Sequence, residues 1–171
     1  KKTVFNEVGY FDESYRGGFE ETDFLWRVVK SGYDLVDEPL AIVYHWNRES
    51  LGGLLSQTWR YGLGAGKFCN EHPDSPVTKK YHRYDLYFAG FLSLFLLMLI
   101  GSLGVLQLLL VALLTLAVPL TVLSIYYLRQ ASRRGAWSIP VLYPVLDSLR
   151  ASTFCSSQIY SELLEKLGRS H

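Results

Sequence analysis

The sequence predicts an α/β segment over residues 1–70, followed by a helical transmembrane hairpin and an amphipathic tail. Three observations carry that prediction. A helix-period pattern beginning at Glu20 gives way to two short strand-like runs, residues 33–36 and 40–44. Residues 86–128 contain no Asp, Glu, Lys, Arg or His, and an uncharged run of that length demands a membrane. Near the C-terminus, Ile159, Tyr160, Leu163, Leu164 and Leu167 recur at helical spacing against Glu162, Glu165 and Lys166.

Composition narrows the function classes. Of 171 residues, 49% are hydrophobic, high for a purely soluble domain, and the excess lies in the uncharged run. A formal net charge of +1, with no Lys/Arg run resembling a nucleic-acid patch, gives no electrostatic case for nucleic acid. Cys69 and Cys155 lack CxxC or Cys/His spacing, so neither a disulfide framework nor a zinc site is indicated. A reducing, cytosolic setting suits the polar part. The chain opens without Met and without a signal-peptide pattern.

Taken in order, residues 4–8 form a short apolar element ahead of the loop Gly9-Tyr10-Phe11-Asp12-Glu13, anchored by Phe11. Gly17-Gly18 permits a tight turn, and Glu20, Glu21 and Asp23 then suit the first turn of a helix, where free amides and the positive dipole end favour acids. Glu20, Asp23 and Arg27 share one face, Phe24 and Val28 with Leu25 and Val29 make the buried stripe, and Gly32 supplies the stop. Asp37-Glu38-Pro39 turns the chain between the two strand-like runs, and His45 sits where the second ends. Ser50 caps a helix running to about Lys67. Residues 71–85 read as a polar linker broken by Pro73 and Pro76.

Residues 86–128 are too long for one span of roughly 20 residues. Gly101-Ser102-Leu103-Gly104 divides them into a hairpin, with Pro119 tolerated as a kink in its second helix. Lys79, Lys80 and Arg83 precede the hairpin and Arg129, Arg133 and Arg134 follow it, which puts both ends in the cytosol. In the tail, residues 129–171, the Pro-broken stretch 139–146 reads as interfacial or re-entrant, and the last helix as interfacial.

The candidate chemistry lies in Glu20, Glu21 and Asp23. From spacing alone, helix capping and an i, i+4 pair between Asp23 and Arg27 explain these acids as well as catalysis does. His45 at a strand end suits metal or diphosphate binding, or a structural role. Gln57-Thr58-Trp59-Arg60-Tyr61 can stack an aromatic ring on a sugar while Gln57 and Arg60 bond hydroxyls or phosphate. The same residues suit a helix lying on a bilayer, and both roles are compatible.

Val8-Gly9-Tyr10-Phe11-Asp12-Glu13, Gly18-Phe19-Glu20-Glu21-Thr22-Asp23-Phe24 with Arg27, Gly32-Tyr33 and then His45 resemble the acceptor side of a family 2 glycosyltransferase. Gln57 to Tyr61 are similar to the QxxRW element of membrane-bound polysaccharide synthases, with Tyr61 replacing Trp. The resemblance implies a GT-A, Rossmann-like domain of which this chain is a C-terminal piece. It implies inverting transfer of a sugar from a nucleotide-diphosphate donor to a membrane-associated lipid or polysaccharide acceptor, as in cell-envelope polysaccharide synthesis. On it, Glu21 is the base, Glu20 contacts the acceptor or orients Glu21, and Asp23 with Arg27 supports the helix. Gln57, Arg60 and Tyr61 bind the acceptor, and His45 serves a divalent metal, Mg2+ or Mn2+, at the diphosphate. The family's usual second acid is Asp, so Glu21 is a departure. Its Asp-x-Asp motif does not occur in these residues, and the chain alone is expected to be inactive. The localisation implied is a multi-pass inner or plasma membrane protein with a cytosolic catalytic part. The alternative is a non-catalytic membrane anchor or scaffold whose polar segment binds a partner.

Overall fold

The computed structural model describes residues 2–15, 17–44, 50–134 and 139–168. Six helices follow in order: α1 (Lys2–Val8), α2 (Glu20–Lys30), α3 (Leu51–Glu71), α4 (Pro76–Gly101), α5 (Leu106–Arg134) and α6 (Ile139–Lys166). Among the described residues there is no strand.

The expected α/β fragment, and with it the Rossmann-like GT-A domain, is therefore overturned. Residues 33–36 and 40–44 have strand-like composition, but a strand is stable only as half of a ladder. No other extended run among the described residues pairs with them, and they stand in solvent, with Val36 87% and Val43 86% exposed. Local turns take their place: Ala41 N donates to the Glu38 carbonyl (3.0 Å) and Leu40 N to the Glu38 carboxylate (3.1 Å). Residues 4–8, expected as a short apolar element, lie in α1, where Phe5 stacks on Phe24 with ring centroids 4.8 Å apart.

Helix α2 starts at Glu20, with three acids in its first turn and Arg27 and Lys30 in its last, both favoured by the macrodipole. Gly32, at φ 85°, ends it. Phe24 and Val28 are buried, whereas Leu25 and Val29 are substantially exposed, so the apolar stripe is narrower than its sequence suggests. Helix α3 is capped by Ser50, whose Oγ accepts from Gly53 N at 3.1 Å. Residues 76–85, read as part of a linker, are the first turns of α4.

The chain divides into two units, Lys1–Tyr81 with Thr153–His171, and His82–Ser152. In the first, Tyr15, Phe19, Ala65 and Phe68 form the core, joined by Trp26, Val77, Tyr81 and Phe154. Phe19 is its hub, with ring centroids 5.7 Å from Tyr81, 6.1 Å from Phe68 and 6.5 Å from Phe154. Aromatic pairs of this kind contribute about 0.5–1.5 kcal/mol each beyond area burial.

The close packing of α3 on the C-terminal half of α6 depends on small residues. A Cβ on Gly62 would lie 2.5 Å from the Phe154 carbonyl, and one on Gly66 would lie 2.6 Å from the Gln158 carbonyl. Ser161 Oγ donates to the Leu63 carbonyl at 2.9 Å. The face that α6 buries here carries Ser157, Gln158 and Ser161.

In the second unit, α4 and α5 are joined by a turn in which Ser102 N donates to the Met98 carbonyl (3.0 Å) and Val105 N to the Gly101 carbonyl (3.1 Å). Helix α5 continues through Pro119. Pro76–Gly101 and Leu106–Arg129 are long and apolar enough to cross a membrane. Residues 142–149 run in the first half of α6, where the Tyr127 hydroxyl donates to Asp147.

The glycine contacts set a stability test. Gly66→Ala should cost about 1–3 kcal/mol through overpacking, whereas Gly52→Ala, where a Cβ meets nothing within 4 Å, should be neutral or stabilise by up to about 1 kcal/mol. Denaturant unfolding of both variants in detergent checks this, and equal responses would contradict the tight α3–α6 contact.

Candidate functional site

The turn before α2 and the middle of α3 meet without intervening side chains. Gly17 (φ 156°) and Gly18 (φ 133°) adopt backbone conformations that favour glycine. A Cβ on Gly17 would stand 2.8 Å from Arg60 Cβ, and one on Gly18 would stand 2.6 Å from Tyr61 Cε1. From the other side, a Cβ on Gly64 would run into the Gly18 carbonyl. Three missing side chains therefore let α3 lie directly on the loop, with the turn ahead of α2 beside Arg60 and Tyr61.

Phe19 links that turn to α2 as its N-cap, in a left-handed conformation at φ 80° and without a side-chain cap. For a residue with a Cβ this conformation costs roughly 1–2 kcal/mol. The buried Phe19 ring offsets it through its aromatic neighbours in the core. The next residue, Glu20, is half-buried, and its Oε2 has no hydrogen-bond partner among the described residues. Glu21 is exposed. On α3, Gln57 Nε2 donates to the Tyr61 hydroxyl at 3.1 Å, and Arg60 is exposed.

Asp23 is placed differently from its two acidic neighbours. It is 3% exposed, and both of its oxygens are engaged. Oδ2 accepts from Arg27 Nε at 2.9 Å, and Oδ1 lies 2.7 Å from His72 Nε2. Arg27 also donates through Nη1 to the Val8 carbonyl and through Nη2 to the Tyr10 carbonyl, both at 2.7 Å, so the pair ties the loop after α1 to α2. His72 is the residue after α3, and its carbonyl accepts from Thr78 Oγ1 at 2.7 Å. One buried carboxylate thus joins the turn after α1, α2, the end of α3 and the start of α4.

Beside it, the Tyr15 hydroxyl donates to Glu71 Oε2 at 2.6 Å, and Lys67 pairs with Glu71 Oε1. Burial, reinforced by Glu71, holds the Tyr15 phenol well above its ordinary range, so it stays a donor. Asp23, Glu71 and His72 bring three ligand atoms within 4.8 Å of one another. As a resident divalent-metal site this set does not fit, because Arg27 and His72 occupy Asp23 while Lys67 and Tyr15 occupy Glu71. His45, expected at the metal, lies outside the described residues.

The structure therefore brings the Gly17-Gly18 turn, which leads into Glu20, together with Arg60 and Tyr61, and sets Asp23 with Arg27 apart in a buried network. Sequence reasoning missed His72, Glu71, Lys67 and Tyr15. His72 stands 49 residues from Asp23, and the only signal it offered was a histidine closing a long helix before Pro73.

Two curated proteins named pre-mycofactocin glycosyltransferase, from Mycobacterium tuberculosis strains CDC 1551 / Oshkosh and ATCC 25618 / H37Rv, are each 34% identical to this chain over 74 residues. The similarity is to glycosyltransferases. It covers 43% of this chain and 16% of each relative, so the chain spans a small part of their length. No family model and no solved structure matches the chain.

Removing one partner of a buried ion pair costs about 3–5 kcal/mol, so Asp23→Ala should destabilise the protein by roughly that amount. Asp23→Asn and His72→Gln should be non-additive, with a coupling of about 0.5–3 kcal/mol. Unfolding of the single and double variants measures it, and simple additivity would show the contact to be energetically idle.

Proposed function

We propose that the chain belongs to a membrane-bound, inverting glycosyltransferase of the family 2 type, which transfers a sugar from a nucleotide-diphosphate sugar to a lipid-linked or saccharide acceptor. The observation that carries this reading is the meeting of the Gly17-Gly18 turn, which leads into the acids of α2, with Arg60 and Tyr61. The similarity to the mycobacterial glycosyltransferases supports it. A guanidinium and an exposed aromatic ring beside a turn that leads into two carboxylates suit sugar recognition. The ring covers the apolar face of a pyranose, while the guanidinium and carboxylates bond its hydroxyls.

In this reading the acceptor hydroxyl attacks the anomeric carbon as the bond to the diphosphate oxygen breaks, and its proton passes to the Glu21 carboxylate. Glu21 suits that role because it is exposed at the first turn of α2, open to an incoming hydroxyl. Glu20 takes a hydroxyl of the acceptor as the missing donor for its buried Oε2. Asp23, saturated by Arg27 and His72, holds α2 in place and takes no proton.

Membranes carrying the protein, supplied with labelled nucleotide sugars, should transfer label into a lipid or polymer fraction. Glu21→Gln should lower turnover by about 10²–10⁴-fold with donor binding little changed, and Glu21→Asp should keep substantial activity. A folded Glu21→Gln protein with wild-type turnover would sink the assignment of the base. An absence of transfer from every nucleotide sugar would favour the anchor reading.

The membrane part of the proposal is a two-span hairpin, α4 and α5, with both ends cytosolic, because basic residues flank the uncharged stretch on each side. Cysteines introduced singly at Lys80 and Arg134 should therefore react alike with an impermeant thiol reagent applied from either side. Opposite labelling would contradict the hairpin.

A further inference from the structure

We propose that His72 is a positioning residue for the transfer reaction: from the end of α3 it fixes the rotation of α2, and with it the Glu21 carboxylate, relative to Arg60 and Tyr61. Helix α2 is tied to α3 at two places. Ahead of its first turn, the Gly18 carbonyl lies where a Cβ on Gly64 would stand, and Gly18 itself lies against Tyr61. Within its first turn, Asp23 Oδ1 lies 2.7 Å from His72 Nε2. Gly64 and His72 are eight residues apart, about 12 Å along the helix. The first contact alone would be a pivot. The second, at that distance, sets the direction in which α2 leaves it.

Asp23 is 3% exposed, whereas Glu21, two residues earlier and so about 200° around the helix, is in solvent. Anchoring the inner side of the turn therefore aims the outer one. Arg27 holds the same carboxylate, but it belongs to α2 and binds the Val8 and Tyr10 carbonyls, so it orients nothing relative to α3. Among the described residues, the other polar contact from α2 to the stretch after α3 joins Lys30 to Asp74 at 3.0 Å, both more than half exposed, and such surface pairs hold little. His72 is itself fixed on both sides. Its ring lies 4.8 Å from that of the fully buried Phe68. Its N–H donates to the Phe68 carbonyl at 2.9 Å, and its carbonyl accepts from Ser75 N at 3.1 Å and from Thr78 Oγ1 at 2.7 Å. A side chain so held transmits position, and a misplacement of about 1 Å costs a reaction up to about 10²-fold in rate. The inference rests on the reading of Glu21 as the base, and deepens it by naming what aims that base.

Two readouts on the whole protein test it. Nitroxide labels on cysteines introduced at the exposed Leu25 of α2 and Ser56 of α3 give the separation of the two helices by double electron–electron resonance. Cys69 and Cys155 are buried, and the protein without added cysteines gives the labelling background. His72→Leu, which keeps the packing on Phe68 and loses the donor, should broaden the distance distribution, and an unchanged distribution would overturn the proposal. In membranes carrying the protein, His72→Leu should lower kcat by about 10–100-fold with KM little changed. On a Glu21→Gln background it should cost nothing further, because a base already absent cannot be misplaced. A loss that multiplies in full would mean only fewer folded molecules, and would overturn the proposal. His72→Gln, a milder change with a more flexible donor, should move both readouts the same way by less, and decides the matter where the leucine variant does not fold. No transfer by the parent, or wild-type turnover in Glu21→Gln alone, would instead remove the functional reading, and the proposal with it.

Discussion

Contact between a loop and a helix with nothing between them is the constraint on which the first unit depends. Gly18 and Gly64 leave no room for a β-carbon, and Phe19 must take a left-handed conformation to turn from that contact into α2. Each feature is unfavourable in an isolated chain, since glycine loses the most entropy on ordering and a left-handed phenylalanine is strained. They persist because the Phe19 ring is locked among Phe68, Tyr81 and Phe154, so the core of the unit holds the backbone that presents Glu20 and Glu21.

The three acids at the start of α2 differ in environment more than in sequence. Asp23 is buried and saturated by a guanidinium and an imidazole, and serves as a structural junction. Glu20 has an oxygen that is buried and unsatisfied, which costs about 1–3 kcal/mol. Glu21 remains in solvent. The fold satisfies one carboxylate fully and leaves an oxygen of its neighbour unpaired, among the described residues, within a single helical turn. That contrast is the physical content of the functional reading, because strain and unmet hydrogen bonds persist where a ligand relieves them.

How much of this was legible depended on whether the determining contact was local. The start of α2 at Glu20, its stop at Gly32, the Ser50 cap and the break at residues 101–104 are set within a few residues, and each stands where the pattern put it. The strand-like runs at 33–36 and 40–44 were misread because composition reports a tendency to pair, while pairing needs a second edge that the described residues do not offer. Two stretches flagged separately, Gly17-Gly18 and Arg60-Tyr61, were legible as motifs but not as neighbours, since their meeting rests on the lack of atoms at three glycines. The link from Asp23 to His72 had no local signature at all.

The packing of α6 on α3 also rests on contacts that are not local. An apolar periodicity identifies which side of a helix avoids water, and in a soluble protein that side finds the core. Here the partner helix offers Gly62 and Gly66, whose value is close backbone approach, and that approach favours serine and glutamine over leucine at the contact. Helix packing by small residues needs no hydrophobic drive between the helices, and Leu163 and Leu167 stay exposed.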